Sequence, residues 1–542
     1  MPAGRDMITH WYIKVGGSDL SEELSDALIS GEVDDSLDLP DMFTLQVRDP
    51  KLRWVDGSLF ALGSALEVAV KTPGGSAKLM SGEITGLEPN FPRDAAPYLV
   101  VRGYDQSHRL HHGRKTRSFT GKCDSDVVKA IAREYSGMGT KVDPTSQVHE
   151  WVLQNNQTDY ELVQERARRL GYRFFVEDNK LHFVRAPEEA PQPVPLEWGV
   201  QLLDFRARLV TTEQVKRVVV RGWDPERKKE IVGDAATPQN LPRLGQDTQG
   251  GKAAQQAYGN AGELVVVDRF VATPSEAAAL AQALCDEVGG AYLQAEGTCL
   301  GNPKVLAGAT VELSGLGTKF SGQYLVTHST HRYDAERYTT SFSVSGLRGT
   351  SLTQLLRGRC DATSRPGVVI GVVTNNRDPK GWGRVKVRYP WQDDKIESDW
   401  ARLVSPMAGA GRGFEFLPEI NDEVLVAFEH GDMHRPYVLG ALWNGVDAPP
   451  EPSNGVLDGQ GRVNKRIIKS RAGHQVILDD TNDVGGITVV DKTGSNKIVI
   501  DAQRNKLIIE AQGDVEIKSS AGKVTIDGAT GVTVKGARID LN

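Results

Sequence analysis

The C-terminal residues repeat a short pattern that restricts what this chain can fold into. From residue 474 onward, two apolar residues separated by one other residue recur at steps of 7–11 residues, and Gly, Asp, Asn and Ser are frequent in the links. The pairs are Val476/Leu478, Ile487/Val489, Ile498/Ile500, Leu507/Ile509, Val515/Ile517, Val524/Ile526, Val532/Val534 and Ile539/Leu541. This alternation is typical of short strands with one apolar face, and its repetition is typical of a β-solenoid.

A step of this length contains one strand and one turn, which cannot enclose a core within one chain. An apolar face left in water would favour aggregation. We therefore predict that three copies wind together into an intertwined trimeric β-prism, since three is the smallest number of walls that encloses a core. The alternative is a flat meander packed on another domain of the same chain. The predicted core residues of the prism are Val515, Ile517, Val524, Ile526, Val532 and Val534.

Length and composition limit the remaining possibilities. A chain of 542 residues is too long for one core and indicates several domains. The 64 basic and 71 acidic residues give a net charge of −7 without a clustered basic arm, which argues against nucleic acid as a partner. Four scattered cysteines indicate neither a disulfide framework nor a metal site, so no cofactor is expected. The N-terminus has no apolar stretch of signal-peptide length, which favours folding in the cytoplasm.

Strand and helix patterns alternate over residues 1–356 and predict two similar α+β halves. Strand patterns occur at 42–49, 64–70, 78–91, 98–105 and 214–225, and a hairpin is expected around Asp178-Asn179. Helices are predicted at 124–137, 157–171 and 274–290. The polar segment 233–256 and the basic run 108–117 are interpreted as surface loops. A small β-barrel or sandwich is predicted at 366–445, then a linker at 446–465 and the repeats at 466–542.

No convincing active site is present in the sequence. His328 and His331 are three residues apart in a strand-like segment, so they should point to opposite faces. The neighbours His111 and His112 are interpreted as surface or satisfied residues. An acidic cluster that could suggest glycoside cleavage is better interpreted as solvated loop charges; it contains Glu415, Glu419, Asp422 and Glu423. We therefore predict no catalytic residue, no metal ligand and no enzyme activity.

Residues 367–445 closely resemble the OB-fold domain of contractile-injection spike proteins, the family of valine-glycine-repeat protein G (VgrG) and the phage central spike. The resemblance rests on "GRVKVRYPW" (383–391), "WARLVSP" (400–406), "LPEINDEVLVAFEHGD" (417–432) and "RPYVLGALWN" (435–444). Residues 1–350 are similar to the paired-barrel hub of the same family, and the terminal repeats to its trimeric needle. The layout most resembles the spike of extracellular particles of the Photorhabdus virulence cassette type. A basic and aromatic surface for oligonucleotides is not apparent in the OB segment.

The resemblance implies a mainly β, multidomain protein: two α+β barrel-like hub domains, an OB-fold barrel and a β-prism needle. It implies a membrane-puncturing homotrimer that joins a hexameric inner tube and baseplate to a needle, with cargo as a possible further partner. A PAAR-type tip protein is expected on the terminal residues Ile539, Asp540, Leu541 and Asn542. The particle would assemble in the cytoplasm and act after release, at a target membrane. The rival hypothesis is a polysaccharide hydrolase or lyase built on a β-solenoid, although residues 474–542 contain no Trp, Tyr or Phe.

Overall fold

The structure is a computed structural model, and it describes residues 11–72, 75–185, 192–239, 249–334, 337–346, 367–390 and 396–540. The chain divides into two compact units, residues 1–441 and residues 442–542. Strands dominate both units. Within the described ranges, each helix is too short or too polar to cross a membrane.

The region up to residue 346 contains most of the strands. Those of its first half are β1 (Trp11–Val15), β2 (Ser18–Asp19), β3 (Leu28–Ser36), β4 (Met42–Arg48), β5 (Ala65–Thr72), β6 (Gly75–Asn90), β7 (Tyr98–Tyr104), β8 (Lys115–Cys123), β9 (Gly139–Val142), β10 (Val148–Gln157), β11 (Tyr172–Glu177) and β12 (Lys180–Arg185). Those of its second half are β13 (Val194–Glu197), β14 (Leu202–Leu209), β15 (Arg217–Asp224), β16 (Lys229–Ala235), β17 (Glu263–Val266), β18 (Leu293–Leu300), β19 (Thr310–Ser314), β20 (Gly322–Leu325), β21 (His328–Asp334) and β22 (Tyr338–Val344).

The helices of this region are α1 (Glu22–Ala27), α2 (Asp124–Ala132), α3 (Asp159–Leu170), α4 (Gly250–Tyr258), α5 (Pro274–Gly290) and α6 (Gly317–Phe320), with a 3-10 helix at Gln106–His111. Helix α3 begins with a capping box between Thr158 and Glu161 and ends at Gly171, whose φ of 67° suits glycine. The helices predicted at 157–171 and 274–290 are confirmed. The helix predicted at 124–137 ends earlier, and the segment interpreted as a loop at 233–256 contains most of α4.

Eleven strands of the two halves form one antiparallel sheet in the order β14-β18-β22-β21-β3-β4-β7-β6-β5-β1-β2. The junction is the pairing of β21 with β3, where Thr330 lies opposite Asp34. The two halves that the sequence indicates are therefore joined through a continuous sheet, which the strand patterns did not predict. Its alternating apolar residues are buried, as Phe43, Leu45 and Val47 of β4 show.

Smaller sheets complete the first region: β10-β8, β11-β12-β9, β13-β19-β20 and β16-β15-β17. The hairpin predicted at Asp178-Asn179 is confirmed. Both of these residues have positive φ, 50° and 58°, as a tight two-residue turn between β11 and β12 requires.

The barrel after residue 366 contains β23 (Val368–Asn375), β24 (Lys386–Arg388), β25 (Arg402–Leu403), β28 (Glu423–Phe428) and β29 (Pro436–Ala441), in the order β24-β23-β28-β29-β25. A separate hairpin is formed by β26 (Ala408–Gly409) and β27 (Arg412–Gly413), and a 3-10 turn covers Glu429–Gly431. The barrel core is continuous with Trp151 and Leu153 of β10. The barrel is thus packed onto the hub by a shared apolar core.

The unit from residue 442 onward begins with a short helix, α7 (Ser453–Val456), inside the segment predicted as a linker. It continues as a five-stranded antiparallel meander: β30 (Lys465–Lys469), β31 (Gln475–Asp479), β32 (Gly486–Val490), β33 (Lys497–Asp501) and β34 (Lys506–Glu510). The strands of the first four repeats therefore pair with one another within the chain. This pairing is the one expected for the flat meander, which the sequence left as the alternative to the prism. Residues 511–540 are described, and none of them is assigned to a strand or helix.

Candidate assembly interface

One face of the meander carries two rows of apolar side chains that remain exposed. The strand register places Leu478 opposite Ile487 and then Ile487 opposite Ile500, so the side chains of neighbouring strands adjoin. The first row is Ile468, Val476, Val489, Ile498 and Ile509, and the second is Leu478, Ile487, Ile500 and Leu507. These side chains are 37–63% exposed. We call these nine residues the apolar face.

Tight turns hold the strands of this face in register. The Asp491 carboxylate accepts hydrogen bonds from the backbone and side chain of Thr493 and from the Asn496 amide at 2.7–3.3 Å, which closes the turn between β32 and β33. Those bonds, led by that of Thr493, lower the pKa of Asp491 to about 2. Gly486 must lack a side chain, because a Cβ there would lie 2.3 Å from the carbonyl oxygen of Ile500. The register of the apolar face is therefore set locally.

The predicted core residues of the prism lie beyond this sheet, in the extended segment 511–540. Val515, Ile517, Val524, Ile526, Val532 and Val534 are 51–70% exposed, so they are not buried by their own chain. Their burial in a trimer stays a prediction. Of the predicted tip residues, Ile539 is 49% exposed and Asp540 accepts a hydrogen bond from Arg538 Nε at 3.0 Å. Leu541 and Asn542 lie outside the described residues.

The histidines singled out in the sequence have structural roles. His331 is fully buried and its ring contacts the Tyr338 hydroxyl at 2.8 Å and the carbonyl of Val305 at 3.1 Å. Burial lowers the pKa of His331 to about 4, which keeps the ring neutral. His328 lies on the other face of the strand, 3.7 Å from the carboxylate of Asp34. The predicted opposite orientation is confirmed.

The remaining candidates also show no constellation for catalysis. His111 stacks on Tyr160 with ring centroids 4.0 Å apart, and burial lowers its pKa. In the acidic cluster, Asp422 accepts a hydrogen bond from the backbone N–H of Glu419 at 2.8 Å, as a turn residue does. No group of three His, Cys, Asp or Glu side chains within the described ranges could hold a metal ion.

The basic run at 108–117 is not the solvated loop that the sequence suggested. Lys115 and Arg117 contact the buried carboxylate of Asp159 at 2.6 and 2.7 Å, and both also pair with Glu134. The Tyr135 hydroxyl donates to the same carboxylate at 2.6 Å. The interpretation was wrong because the partners lie 17–44 residues away in sequence. The ion pairs of Lys115 and Arg117 with Asp159 therefore connect β8 to the first turn of α3.

Three carboxyl groups that sequence reasoning missed meet where the two halves of the hub join. Asp35 accepts a hydrogen bond from the backbone N–H of Ala307 at 2.8 Å and shares a hydrogen bond with Asp41. Asp105 accepts one from the backbone N–H of Asp41 at 2.9 Å. Burial raises the pKa of all three, that of Asp35 to about 6. Burial and the neighbouring carboxyl groups both disfavour the ionised forms of Asp35 and Asp41 at this junction.

The barrel also carries a cationic and aromatic cluster that the sequence did not reveal. The Arg384 guanidinium lies 4.9 Å from the ring centroid of Trp382 and 5.7 Å from that of Trp400, and Lys386 lies 5.5 Å from Trp400. These cations are neutralised within the chain, because Arg384 binds both oxygens of Asp378 at 2.7 and 3.0 Å. Lys386 lies 3.5 Å from Glu397. The cluster therefore does not restore a phosphate-binding surface.

Solved structures show the same fold. The E. coli c3393 protein is described as a type VI secretion component similar to the T4 tail proteins gp27 and gp5. It aligns with a TM-score of 0.51 at 14% identity, over 79% of this chain and 99% of its own. A chain of the Francisella PdpA-VgrG complex aligns with a TM-score of 0.51 at 9% identity, over 93% of this chain and 80% of that chain. At these identities the likeness concerns the fold alone.

Curated relatives share shorter stretches. The spike protein VgrG2a of Pseudomonas aeruginosa is 31% identical over 106 residues, which is 18% of this chain and 12% of that protein. VgrG1a of the same organism is 28% identical over 200 residues, 34% of this chain and 29% of that protein. The chain thus spans well under two thirds of the curated relatives it matches. Both are spike proteins, so the rival hypothesis of a polysaccharide hydrolase is not favoured.

In fold and in shared stretches the chain is thus similar to central spike proteins of contractile injection systems, the class to which VgrG belongs. Residues 369–443 match the type VI secretion system/phage-baseplate injector OB domain, which confirms the OB barrel. Residues 10–335, or 326 of 542, match the Alg8 N-terminal domain, and the chain belongs to this family. The domain boundaries given above stay predictions.

Proposed function

We propose that three copies of this chain form a mechanical, membrane-puncturing spike. The observation that supports this most is the apolar face: nine side chains in two rows, exposed in the single chain and held in register by local turns. In water, an exposed apolar surface of this kind indicates a protein–protein contact that buries it. Three copies related by one axis would bury their apolar faces against one another and form the start of a closed prism.

In this assembly residues 511–542 of the three chains would continue the prism as a needle. Their described apolar residues are exposed and belong to no strand of their own chain, so intertwined strands would supply both burial and backbone hydrogen bonds. Val515, Ile517, Val524, Ile526, Val532 and Val534 would form its core. Ile539, Asp540, Leu541 and Asn542 would form the end that a PAAR-type tip protein covers.

The hub would adapt three chains to a hexameric inner tube and baseplate, because each chain brings two α+β halves. The OB barrels of the three chains would form a collar. The trimer would assemble in the cytoplasm and become part of a phage-tail-like particle that is then released. This particle would drive the needle through a target membrane and could also carry cargo. Force transmission by a rigid prism needs no catalytic step, so we propose that the chain is not an enzyme.

The trimer is tested by light scattering on the full chain. Three copies of 59.0 kDa predict a mass of roughly 177 kDa, independent of dilution over the micromolar range. A stable, soluble monomer of the full chain would contradict the proposed function.

A further inference from the structure

A cleft of about 270 Å³ lies between the hub strands β8 and β10 and the OB barrel. Glu150 and Trp151 of β10 line one side of it, and Arg384, Lys386, Asp399 and Trp400 of the barrel line the other. The cleft is therefore built from residues that are more than 200 positions apart in the sequence, and its walls belong to the same compact unit.

The charges around the cleft are unequally satisfied. Lys380, Arg384 and Lys386 all line the cleft, and they are paired with Glu226, Asp378 and Glu397, respectively, of their own chain. In contrast, no Lys, Arg or His nitrogen of the described residues lies within ion-pair distance of the carboxylates of Glu150 or Asp399. Asp399 accepts one hydrogen bond, from the backbone N–H of Trp400 at 2.7 Å. Burial raises the pKa of Asp399, and the charge of Glu150 raises it further.

The walls of the cleft suit a flat cation. Trp151 and Trp400 line the cleft together with Glu150 and Asp399, and Arg384 and Lys386 already lie 5.7 and 5.5 Å from the Trp400 ring centroid, so this ring accepts cations. A guanidinium stacks on aromatic faces and binds carboxylates through several N–H groups, so this combination favours arginine. Trp151 is 6% exposed, and its Nε1 has no hydrogen-bond acceptor among the described residues. A carbonyl of an inserted peptide segment could accept that hydrogen bond.

The same chain presents an arginine of this kind on the hairpin of β26 and β27. Arg412 is exposed and makes no ion pair with any residue that the structure describes. Phe414 and Phe416, which follow it, are 53% and 62% exposed and stack with ring centroids 6.4 Å apart. The hairpin is nevertheless ordered, since Ser405 Oγ donates to the carbonyl oxygen of Phe414 at 2.7 Å. An exposed pair of phenylalanines beside a free cation indicates a contact surface.

We propose that the β26–β27 hairpin of one copy inserts into the cleft of the next copy, with the Arg412 guanidinium between the carboxylates of Glu150 and Asp399. The occupant is a second copy because hairpin and cleft are complementary in charge and carried by one chain, as a head-to-tail ring requires. This inference rests on the proposed trimer, and it assigns a contact that joins neighbouring barrels independently of the needle.

The test uses the full chain with Cys123→Ser, which removes the partly exposed thiol of β8. It also carries Thr120→Cys, at a residue that lines the cleft, and Ala410→Cys, between β26 and β27. A short bismaleimide should convert most of the dilute protein to covalent dimers and trimers, whereas either single cysteine should give little. Adding Arg412→Glu should lower the yield at least fivefold, and adding Glu150→Arg to that variant should restore it. Arg377→Glu, another exposed arginine of the barrel, is the matched control.

The outcomes separate the two proposals. A particle of roughly 177 kDa without the cross-link, or with a cross-link that Arg412→Glu leaves unchanged, overturns the hairpin contact and leaves the proposed function standing. A monomeric chain overturns both. A cross-link lost with Arg412→Glu and regained by the charge exchange with Glu150 supports the contact, because general loss of folding cannot be rescued in this way.

Discussion

The backbone N–H of Leu153 in the hub donates a hydrogen bond of 3.0 Å to the Nε2 of His434 in the OB barrel. Because Nε2 accepts, the ring proton lies on Nδ1, which is 2.7 Å from the carboxylate of Asp432. Trp151 packs edge-on against the same ring at 5.2 Å. A single imidazole thus links the hub to the OB barrel, through a hydrogen bond between residues 281 positions apart in the sequence.

Replacing His434 by alanine should weaken the attachment of the barrel to the hub. The buried N–H of Leu153 would lose its acceptor, which costs about 1–3 kcal/mol of the free energy of unfolding. Thermal unfolding should show a lower midpoint, or a separate early transition of the barrel. His430→Asn is the control, since His430 is exposed and its φ of 52° is tolerated by asparagine. Equal melting of both variants would show that this hydrogen bond does not hold the barrel.

Asp35→Asn should change how the stability of the hub depends on pH. Burial raises the pKa of Asp35 from 3.8 to about 6, so the folded state binds more protons than the unfolded state between these values. Stability is therefore lost as the pH rises through this window. The amide cannot ionise, so the variant should match the wild type near pH 4 and exceed it by up to about 2 kcal/mol at pH 7.5.

Chemical denaturation at several pH values measures this difference, with Asp94→Asn in an exposed loop as the control. A destabilised Asp35→Asn at pH 7.5 would mean that the fold favours the ionised carboxylate, so that the pKa of Asp35 is not raised in the folded protein.

Asp159→Asn should destabilise the hub at neutral pH. Burial by itself raises the pKa of this carboxyl, but hydrogen bonds from Lys115, Tyr135 and Gln154 and the charge of Arg117 together lower it. The ionised form therefore stabilises the fold above the unfolded pKa, and this contribution is lost as the pH falls through the lowered folded value. We expect a loss of about 2–3 kcal/mol at pH 7 that shrinks towards pH 3.

Urea unfolding followed by circular dichroism checks the expected loss, with the exposed Asp26→Asn as the control. A variant as stable as the wild type at pH 7 would show that Lys115 and Arg117 are satisfied by Glu134 and water alone.

Ile526→Asp should prevent formation of the needle. In the proposed prism three copies of residue 526 meet near one axis, and three buried unpaired carboxylates would carry a large desolvation penalty. Light scattering and thermal melting of the full chain measure the effect. Thr525→Asp is the matched control, because the neighbouring residue of a strand points away from the core. If the Ile526 variant trimerises and melts like the wild type, the inward orientation of Ile526 is wrong.

Interactions between residues close together in the sequence were sufficient to predict several helices and strands. The cap at Thr158, the glycine at 171 and the Asp178-Asn179 turn determine a helix and a hairpin through contacts within a few residues. The turn signals every 8–12 residues after residue 368 indicated a small barrel or sandwich in the same way, and the resemblance of the motifs between residues 383 and 444 to a known family identified it as an OB barrel. The alternation of apolar and other residues within each repeat likewise predicted strands with one apolar face that a single chain leaves exposed.

The sequence alone therefore determined several helices and strands and the need to cover an apolar face, and its resemblance to a known family indicated the OB barrel. Tertiary structure decided which distant residues meet: β21 with β3, Lys115 and Arg117 with Asp159, Leu153 with His434, and Glu150 with Asp399. Hydrophobic periodicity is set by neighbours along the chain, so it can be recognised in a single sequence. Ion pairs and contacts between carboxyl groups depend on distances of a few ångströms between segments far apart in the chain, and only the fold establishes those distances.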